Sequence, residues 1–336
     1  MVVGLVPSMP PVMMSDIFTD EQNENLFWIL RNRGPWKLLV AQYFKNAAQL
    51  NATTGGKSAD AGGALDLRPT FRGFFARNGV VYEEGAHDSF YSKKLLDSVK
   101  SLHGAEYAVP FLFQFNIAGP ATADGSAHFD GRSWRGMDPM NTPPWLMSVM
   151  ARSGLFERWE VQAGQVISYY YRSSIDGGFT YWPDGPDEAA SHIAAPFWNN
   201  GLVTDNQHMF HRGESSGPLH RRNNLSGATM ETVIEAESGG WAVKDADKTL
   251  DVYTEDEIRV LFHYDAHVFR DMDELRVYFD HKDDLKIDQV LEMLIADVRS
   301  RGVKIDDPSD PMNDPEFISA LSNPYALQPS TKWPVD

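Results

Sequence analysis

Tyr107-Ala108-Val109-Pro110-Phe111-Leu112-Phe113-Gln114-Phe115-Asn116 is a strongly apolar run that reads as a strand inside a sheet. The pattern recurs in shorter pieces on its C-terminal side, at residues 161–171, 178–182, 202–204, 209–212 and 229–237. Between them lie Gly-, Pro- and Asn-containing turns such as Ser173-Ser174-Ile175-Asp176-Gly177. Many short strands joined by such turns predict an antiparallel all-β core, a sandwich or a barrel. Residues 143–159 interrupt it as a helix.

Outward from this core the periodicity changes. Thr19 and Gln22 form a capping box ahead of Leu26, Phe27, Ile29 and Leu30, which predicts a helix. Gly34-Pro35 breaks it and starts another, and residues 89–102 are amphipathic. Residues 51–66, rich in Ala, Gly, Thr and Asp, read as a mobile loop, and 71–75 with 80–82 as a hairpin around Arg77-Asn78-Gly79. Thr254-Glu255-Asp256-Glu257 is a second capping box, residues 288–301 have helical spacing, and the chain after Asp306 reads as a surface tail. The expectation is a single domain over 1–336, mainly β with helical flanks: a helical flank over 1–104, the core over 105–253, and a helical extension with a tail over 254–336.

The formal net charge of −17 argues against nucleic acid and anionic membranes as partners, while leaving room for a local basic pocket that binds a small acid. Cysteine is absent, which removes disulfides and thiolate chemistry. The first fourteen residues lack the basic stretch of a signal peptide, and no apolar run reaches membrane-spanning length. A soluble, cytoplasmic protein is expected. The sequence is silent on oligomeric state.

After the apolar strand and a loop comes His128-Phe129-Asp130, and 83 residues later (211 − 128) His211. Two residues apart on a strand, His128 and Asp130 point to one side. His-x-Asp with a distant second His is the facial triad that holds non-haem Fe(II) and leaves positions open for a co-substrate and dioxygen. An arginine shortly after the second histidine, Arg222 or its neighbour Arg221, is placed to clamp a dicarboxylate through a bidentate pair.

The segment Asp205-Asn206-Gln207-His208-Met209-Phe210-His211, followed at +11 by Arg222, resembles the region of the distal iron ligand in taurine-dioxygenase-like members of the Fe(II)/2-oxoglutarate-dependent oxygenase superfamily. The likeness covers roughly residues 105–240 and does not identify a subfamily, and the insertion after Asp130 departs from the taurine group. It implies a double-stranded β-helix (jelly-roll, cupin-like) core, with His128, Asp130 and His211 as ligands of Fe(II). It also implies 2-oxoglutarate as co-substrate, and hydroxylation of a small molecule by dioxygen with release of succinate and CO2. The asparagine spacing favours His211 over His208, and the offset favours Arg222 over Arg221, since two adjacent strand residues do not face one cleft. His263-Tyr264-Asp265 is a rival motif with too little chain after it for several strands. Thr142 is a candidate second contact to the co-substrate. Candidate substrate contacts are Gln114 and Asn116, Arg132, the same-face pair Tyr169 and Tyr171, and Trp182. Each has a plainer reading, as core or as a surface ion pair. Two other function classes stay open. One is a cupin-type dioxygenase or isomerase without 2-oxoglutarate, and the other is a non-catalytic β-sandwich binding module.

Overall fold

The computed structural model describes residues 5–56, 65–122, 127–222 and 225–329. Half of the expected 51–66 loop, residues 57–64, lies outside them, and residues 51–54 belong to helix Ala47–Thr54 rather than to a loop. Alternation along the apolar run sets the architecture. On strand Tyr107–Ala118, Phe113, Phe115 and Ile117 are buried in a hydrophobic core, while Leu112, Gln114, Asn116 and Ala118 line a cavity on the opposite face. Its partner Arg259–Phe269 does the same, with Val260, Phe262 and Tyr264 in the core and Arg259, His263 and Asp265 on the cavity.

These two strands lie at the centre of an eleven-stranded antiparallel sheet. Beyond Arg259–Phe269 come Ala163–Tyr171, Phe197–Thr204 and the edge strand Val12–Met14. Beyond Tyr107–Ala118 come Thr70–Arg77, Trp36–Leu38 and the strands of residues 233–254. A second sheet has the order Ser191–Ile193, Phe179–Tyr181, His211–Gly213, and His128 extends it through an antiparallel bridge to His211. The chain passes back and forth between the two sheets, from 107–118 to His128, to 163–171, to 179–193, to 197–204, to 211–213 and finally to 259–269. That alternation is the double-stranded β-helix.

Helices Asp20–Asn32 and Lys93–His103 cover the core face of the large sheet with Leu26, Ile29, Leu30, Leu95 and Val99. The Thr19–Gln22 capping box forms with both hydrogen bonds. A second core gathers helices Ala47–Thr54, Pro144–Ser153, Ile287–Ser300 and Pro315–Ser322. Among the described residues no helix is long and apolar enough to cross a membrane.

Four expectations change. The core does not end at residue 253, because Arg259–Phe269 is a central strand of its sheet. The Thr254–Glu257 hydrogen bonds form, but they close a turn at the end of a hairpin rather than cap a helix. The segment after Asp306 is not only surface, since Phe317, Ile318 and Leu321 are buried in the second core. Residues 36–44 form a short strand and a one-turn helix rather than one helix.

Gly201 shows how closely the core strands approach. A Cβ there would lie 1.8 Å from the Ile167 carbonyl oxygen on the neighbouring strand. Gly201→Ala is expected to cost at least the ~1–3 kcal/mol of ordinary overpacking, read as a lower thermal midpoint. Gly56→Ala, whose Cβ would meet nothing nearer than 3.6 Å, is the control and should leave the midpoint in place.

Candidate metal centre

His128 and His211 face each other across the bridge, tied by two backbone hydrogen bonds of 3.0 and 2.8 Å, with ring centroids 4.6 Å apart. Alternation sends their neighbours Phe129 and Phe210 to the other side, where the rings meet edge to face in the second core. Asp130 returns to the cavity side, and its N–H donates to the Asn206 carbonyl at 2.9 Å. His128, Asp130 and His211 each offer a ligand atom, and those atoms lie within 4.8 Å of one another. Asp130 Oδ1 is 3.9 Å from His128 Nε2 and 3.6 Å from His211 Nε2. Those separations are too long for hydrogen bonds and leave a cation-sized gap between the donors.

The protonation states suit a cation. His211 Nδ1 donates to the Met209 carbonyl at 3.1 Å, which leaves the Nε2 lone pair facing the gap. Burial pushes the His211 imidazolium down to about 4, against the pull of Asp130. Burial acts to raise the Asp130 carboxyl, but His211, His263, His128 and Arg72 around it hold it below the ordinary range. Two imidazoles and one carboxylate form a donor set that fits Fe(II).

Behind the triad, Gln165 ties its parts together. Its Nε2 donates to Asp130 Oδ2 at 3.2 Å and its Oε1 accepts from Asn206 N–H at 2.8 Å. His208, three residues before His211, points the other way. It is held by Asp205 at 2.7 Å and Glu160 at 2.6 Å. Arg132 also reaches Glu160, at 3.1 Å, and its Nε donates to the Gln207 carbonyl, while Gln207 Nε2 donates to the Gly131 carbonyl. This buried cluster braces the two ligand-bearing segments against each other.

The triad opens into a cavity of about 690 Å³. Gln114 and Asn116 line it; the Gln114 amide is 3.4 Å from His263 Nδ1, and Asn116 accepts from Arg72. The rival motif of the sequence reading belongs to the same cavity. His263 Nε2 is 3.8 Å from Asp130 Oδ2 and, like Asp265 Oδ1, has no hydrogen-bond partner among the described residues. Burial and then Asp130 push the Asp265 carboxyl up to about 8, so it holds its proton at neutral pH.

The remaining expected contacts lie elsewhere. Arg222 is paired with Asp176 and donates to the Gly217 carbonyl, and Arg221 is paired with Asp251 and Glu257. Neither lines the cavity. Arg132 is committed to Glu160 and is 2% exposed, so it is neither a surface ion pair nor a substrate contact. The Thr142 hydroxyl donates to Asn141 Oδ1 at 2.7 Å, and Trp182 packs in the second core. The Tyr171 hydroxyl donates to the Ile175 carbonyl, and Tyr169 packs on Phe179 and Phe197. Tyr169 is nonetheless within electrostatic reach of Asp130 and Arg259.

Sequence reasoning missed Arg259. It opens the strand Arg259–Phe269 and lines the cavity, and among the described residues its only hydrogen bonds go to the Gly177 and Glu214 carbonyls, both at 3.2 Å. Gly213 makes room for it, since a Cβ there would meet the guanidinium at 2.6 Å. The +11 spacing presumes a short connection after His211. Here the strands of residues 233–254 intervene, and the first arginine after His211 that lines the cavity comes at +48 (259 − 211).

No family model and no curated protein matches the chain. Among solved structures it is similar to a 2OG-Fe(II) oxygenase family oxidoreductase from Burkholderia pseudomallei, at 11% identity over 78% of this chain and 87% of that one, TM-score 0.37. It is also similar to HygX from Streptomyces hygroscopicus with nickel and 2-oxoglutarate bound, at 7% identity over 78% and 84%, TM-score 0.37. A third is a prolyl hydroxylase from Trichoplax adhaerens in complex with a hypoxia inducible factor peptide fragment, at 11% identity over 78% and 84%, TM-score 0.34. Likenesses this distant carry no argument about chemistry, which rests on the residues of the site.

Proposed function

We propose that the protein is a non-haem Fe(II)- and 2-oxoglutarate-dependent oxygenase that hydroxylates a small molecule, with release of succinate and CO2. The observation that carries this reading is the convergence of His128, Asp130 and His211 on one side of a gap at the wall of a large cavity. Fe(II) and 2-oxoglutarate, when bound, supply the oxidising power for a reaction with dioxygen. The protein's residues hold, orient and shield. His128, Asp130 and His211 supply three donors from one side, and Gln165 fixes the Asp130 carboxylate that completes them. Arg259, cationic and without a carboxylate of its own among the described residues, is the clamp for the distal carboxylate of 2-oxoglutarate. Gln114, Asn116, His263 and Asp265 are the polar groups nearest the substrate, and Asp265 offers a proton to a hydrogen-bond acceptor. The buried Phe129 and Phe210 back the ligand segments with a dry, rigid layer.

Anaerobic Fe(II) protein titrated with 2-oxoglutarate should develop a visible charge-transfer band, and with dioxygen and a substrate it should form succinate. His128→Ala, Asp130→Ala and His211→Ala should each lose stoichiometric Fe(II), while His87→Ala, distant in the fold, should retain it. Iron without a band at saturating 2-oxoglutarate would leave a cupin-type enzyme independent of that co-substrate. Failure of the wild-type protein to bind iron would leave a binding module.

A further inference from the structure

The net charge of the chain is −17, yet the cavity wall next to the triad carries arginines that no carboxylate among the described residues answers. Arg72 Nε donates to Asn116 Oδ1 at 2.8 Å, Nη1 is 3.4 Å from the Tyr43 hydroxyl, and the guanidinium stands over the Tyr43 ring at 5.4 Å. Arg77 lies over the Phe74 ring at 4.0 Å, and its buried Nε has no hydrogen-bond partner among the described residues. Among the described residues neither has a carboxylate within ion-pair distance. Arg68, just before them, differs in being paired with Asp66 at 3.0 Å.

Local register puts both guanidiniums on the cavity. On strand Thr70–Arg77, Phe71, Gly73 and Phe75 face the core, and Thr70, Arg72 and Phe74 face the cavity. Regular alternation would continue with Ala76 on the cavity and Arg77 in the core. Instead a bulge between Phe74 and Ala76 inserts one residue, buries both Phe75 and Ala76, and keeps Arg77 on the cavity side.

The co-substrate does not account for these charges. Its distal carboxylate is assigned to Arg259, and Arg72 lies on the far side of the strand Tyr107–Ala118 from Arg259. Arg72 is still close enough to the triad to act on the charge of Asp130. Opposite and around it the wall is apolar, with Leu39, Val40 and Phe44 on one side and Met140 and Met147 on another. A guanidinium partly withdrawn from water and facing neutral neighbours is matched by an oxyanion, whose geometry fits its planar fork.

We propose that the molecule oxidised in this cavity is a small amphipathic oxyanion, with an apolar body against the Leu39–Phe44 and Met140–Met147 walls and one carboxylate, phosphate or sulfate group paired with Arg72. Arg77 extends the positive wall beyond it. This inference rests on the oxygenase reading of the site, and its test separates the two. Calorimetry would compare 3-phenylpropionate, phenyl phosphate and phenyl sulfate with the neutral 3-phenylpropanamide, on metal-free protein and on the anaerobic protein loaded with Fe(II) and 2-oxoglutarate. At least one acid should bind on the order of tenfold to 10²-fold tighter than the amide. The acid that does so names the oxyanion.

Arg72→Gln should abolish that preference while leaving the half-saturation of the 2-oxoglutarate band unchanged, and Arg72→Lys should restore part of it. Arg77→Gln, which keeps Arg72, should reduce the preference less. Equal binding of acids and amide, no acid binding at millimolar concentrations, or a preference that survives in Arg72→Gln would overturn the proposal. So would a displaced 2-oxoglutarate curve in Arg72→Gln, which would make Arg72 a co-substrate residue. Absence of the band in the wild-type protein bears on the oxygenase reading alone, because the acid–amide comparison is also made without metal.

Discussion

Glu160→Ala should destabilise the protein by about 3–5 kcal/mol, the cost of leaving buried charge without its partner. The Glu160 side chain is 7% exposed, accepts from Arg132, itself 2% exposed, and lies at ion-pair distance from His208. Its removal takes from the Arg132 guanidinium the carboxylate it meets at 3.1 Å, and leaves His208 with Asp205 as its carboxylate partner among the described residues. Urea unfolding at constant pH measures the loss. The same change should weaken Fe(II) binding by roughly tenfold to a hundredfold, because Arg132 and Gln207 brace the Asp130 and His211 segments against each other. An effect on stability with none on metal would show that the brace is not transmitted.

The cluster also has a pH signature. Burial would raise Glu160 and Asp205, but His208 together with Arg132 for Glu160, and chiefly His208 for Asp205, outweigh it and leave both below the ordinary carboxylate range. Their contribution is present above about pH 4, the unfolded carboxylate range, and is lost as pH falls through the lowered values. Burial would lower His208, but Asp205 and Glu160 outweigh it and leave it raised. That contribution is complete below about pH 6.5 and is lost as pH rises through the raised value. The stability difference between wild type and Glu160→Ala should therefore be largest between those limits and shrink on both sides.

Arg259→Ala should raise the 2-oxoglutarate concentration that half-saturates the charge-transfer band by about 10²-fold, the cost of one charge-assisted bidentate contact. Fe(II) stoichiometry should be unchanged, since Arg259 touches the Gly177 and Glu214 carbonyls and none of the three donors. Arg222→Ala should leave the band where it is, because that side chain is occupied with Asp176. The opposite ranking of the two variants would return the clamp to the position nearer His211 in sequence.

The contrast between Arg222 and Arg259 marks the boundary of what was legible in the sequence. Strand alternation is local, so His128 with Asp130, the separation of His208 from His211, and the cavity-facing Gln114 and Asn116 could be read from spacing alone. The two-sheet core was legible for the same reason. Arg259 depends on where a strand re-enters the large sheet after a hairpin of variable length, and local spacing carries no information about that. Residues 258–269 alternate visibly, yet the capping-box letters of 254–257 pointed to helix, and only pairing with Tyr107–Ala118 decides the matter. The burial of Arg132 was illegible because its counter-charge, Glu160, comes from a distant segment. The helix Pro315–Ser322 was hidden by Pro-, Asp- and Asn-rich flanks, although its buried Phe317, Ile318 and Leu321 follow helical spacing.

The bulge after Phe74 has an evolutionary reach beyond its geometry. Deleting the single residue Phe75 would restore regular alternation and leave the register as it is, with Ala76 opposite the core residue Phe113 and Arg77 opposite Leu112 on the cavity. Loss of that codon would thus spare the charge on the wall and remove a buried ring from the core. Length change at the bulge is therefore where relatives can vary without altering what the cavity accepts, whereas a one-residue change in the regular stretch before it would turn the side chains on one side of that change to the other face.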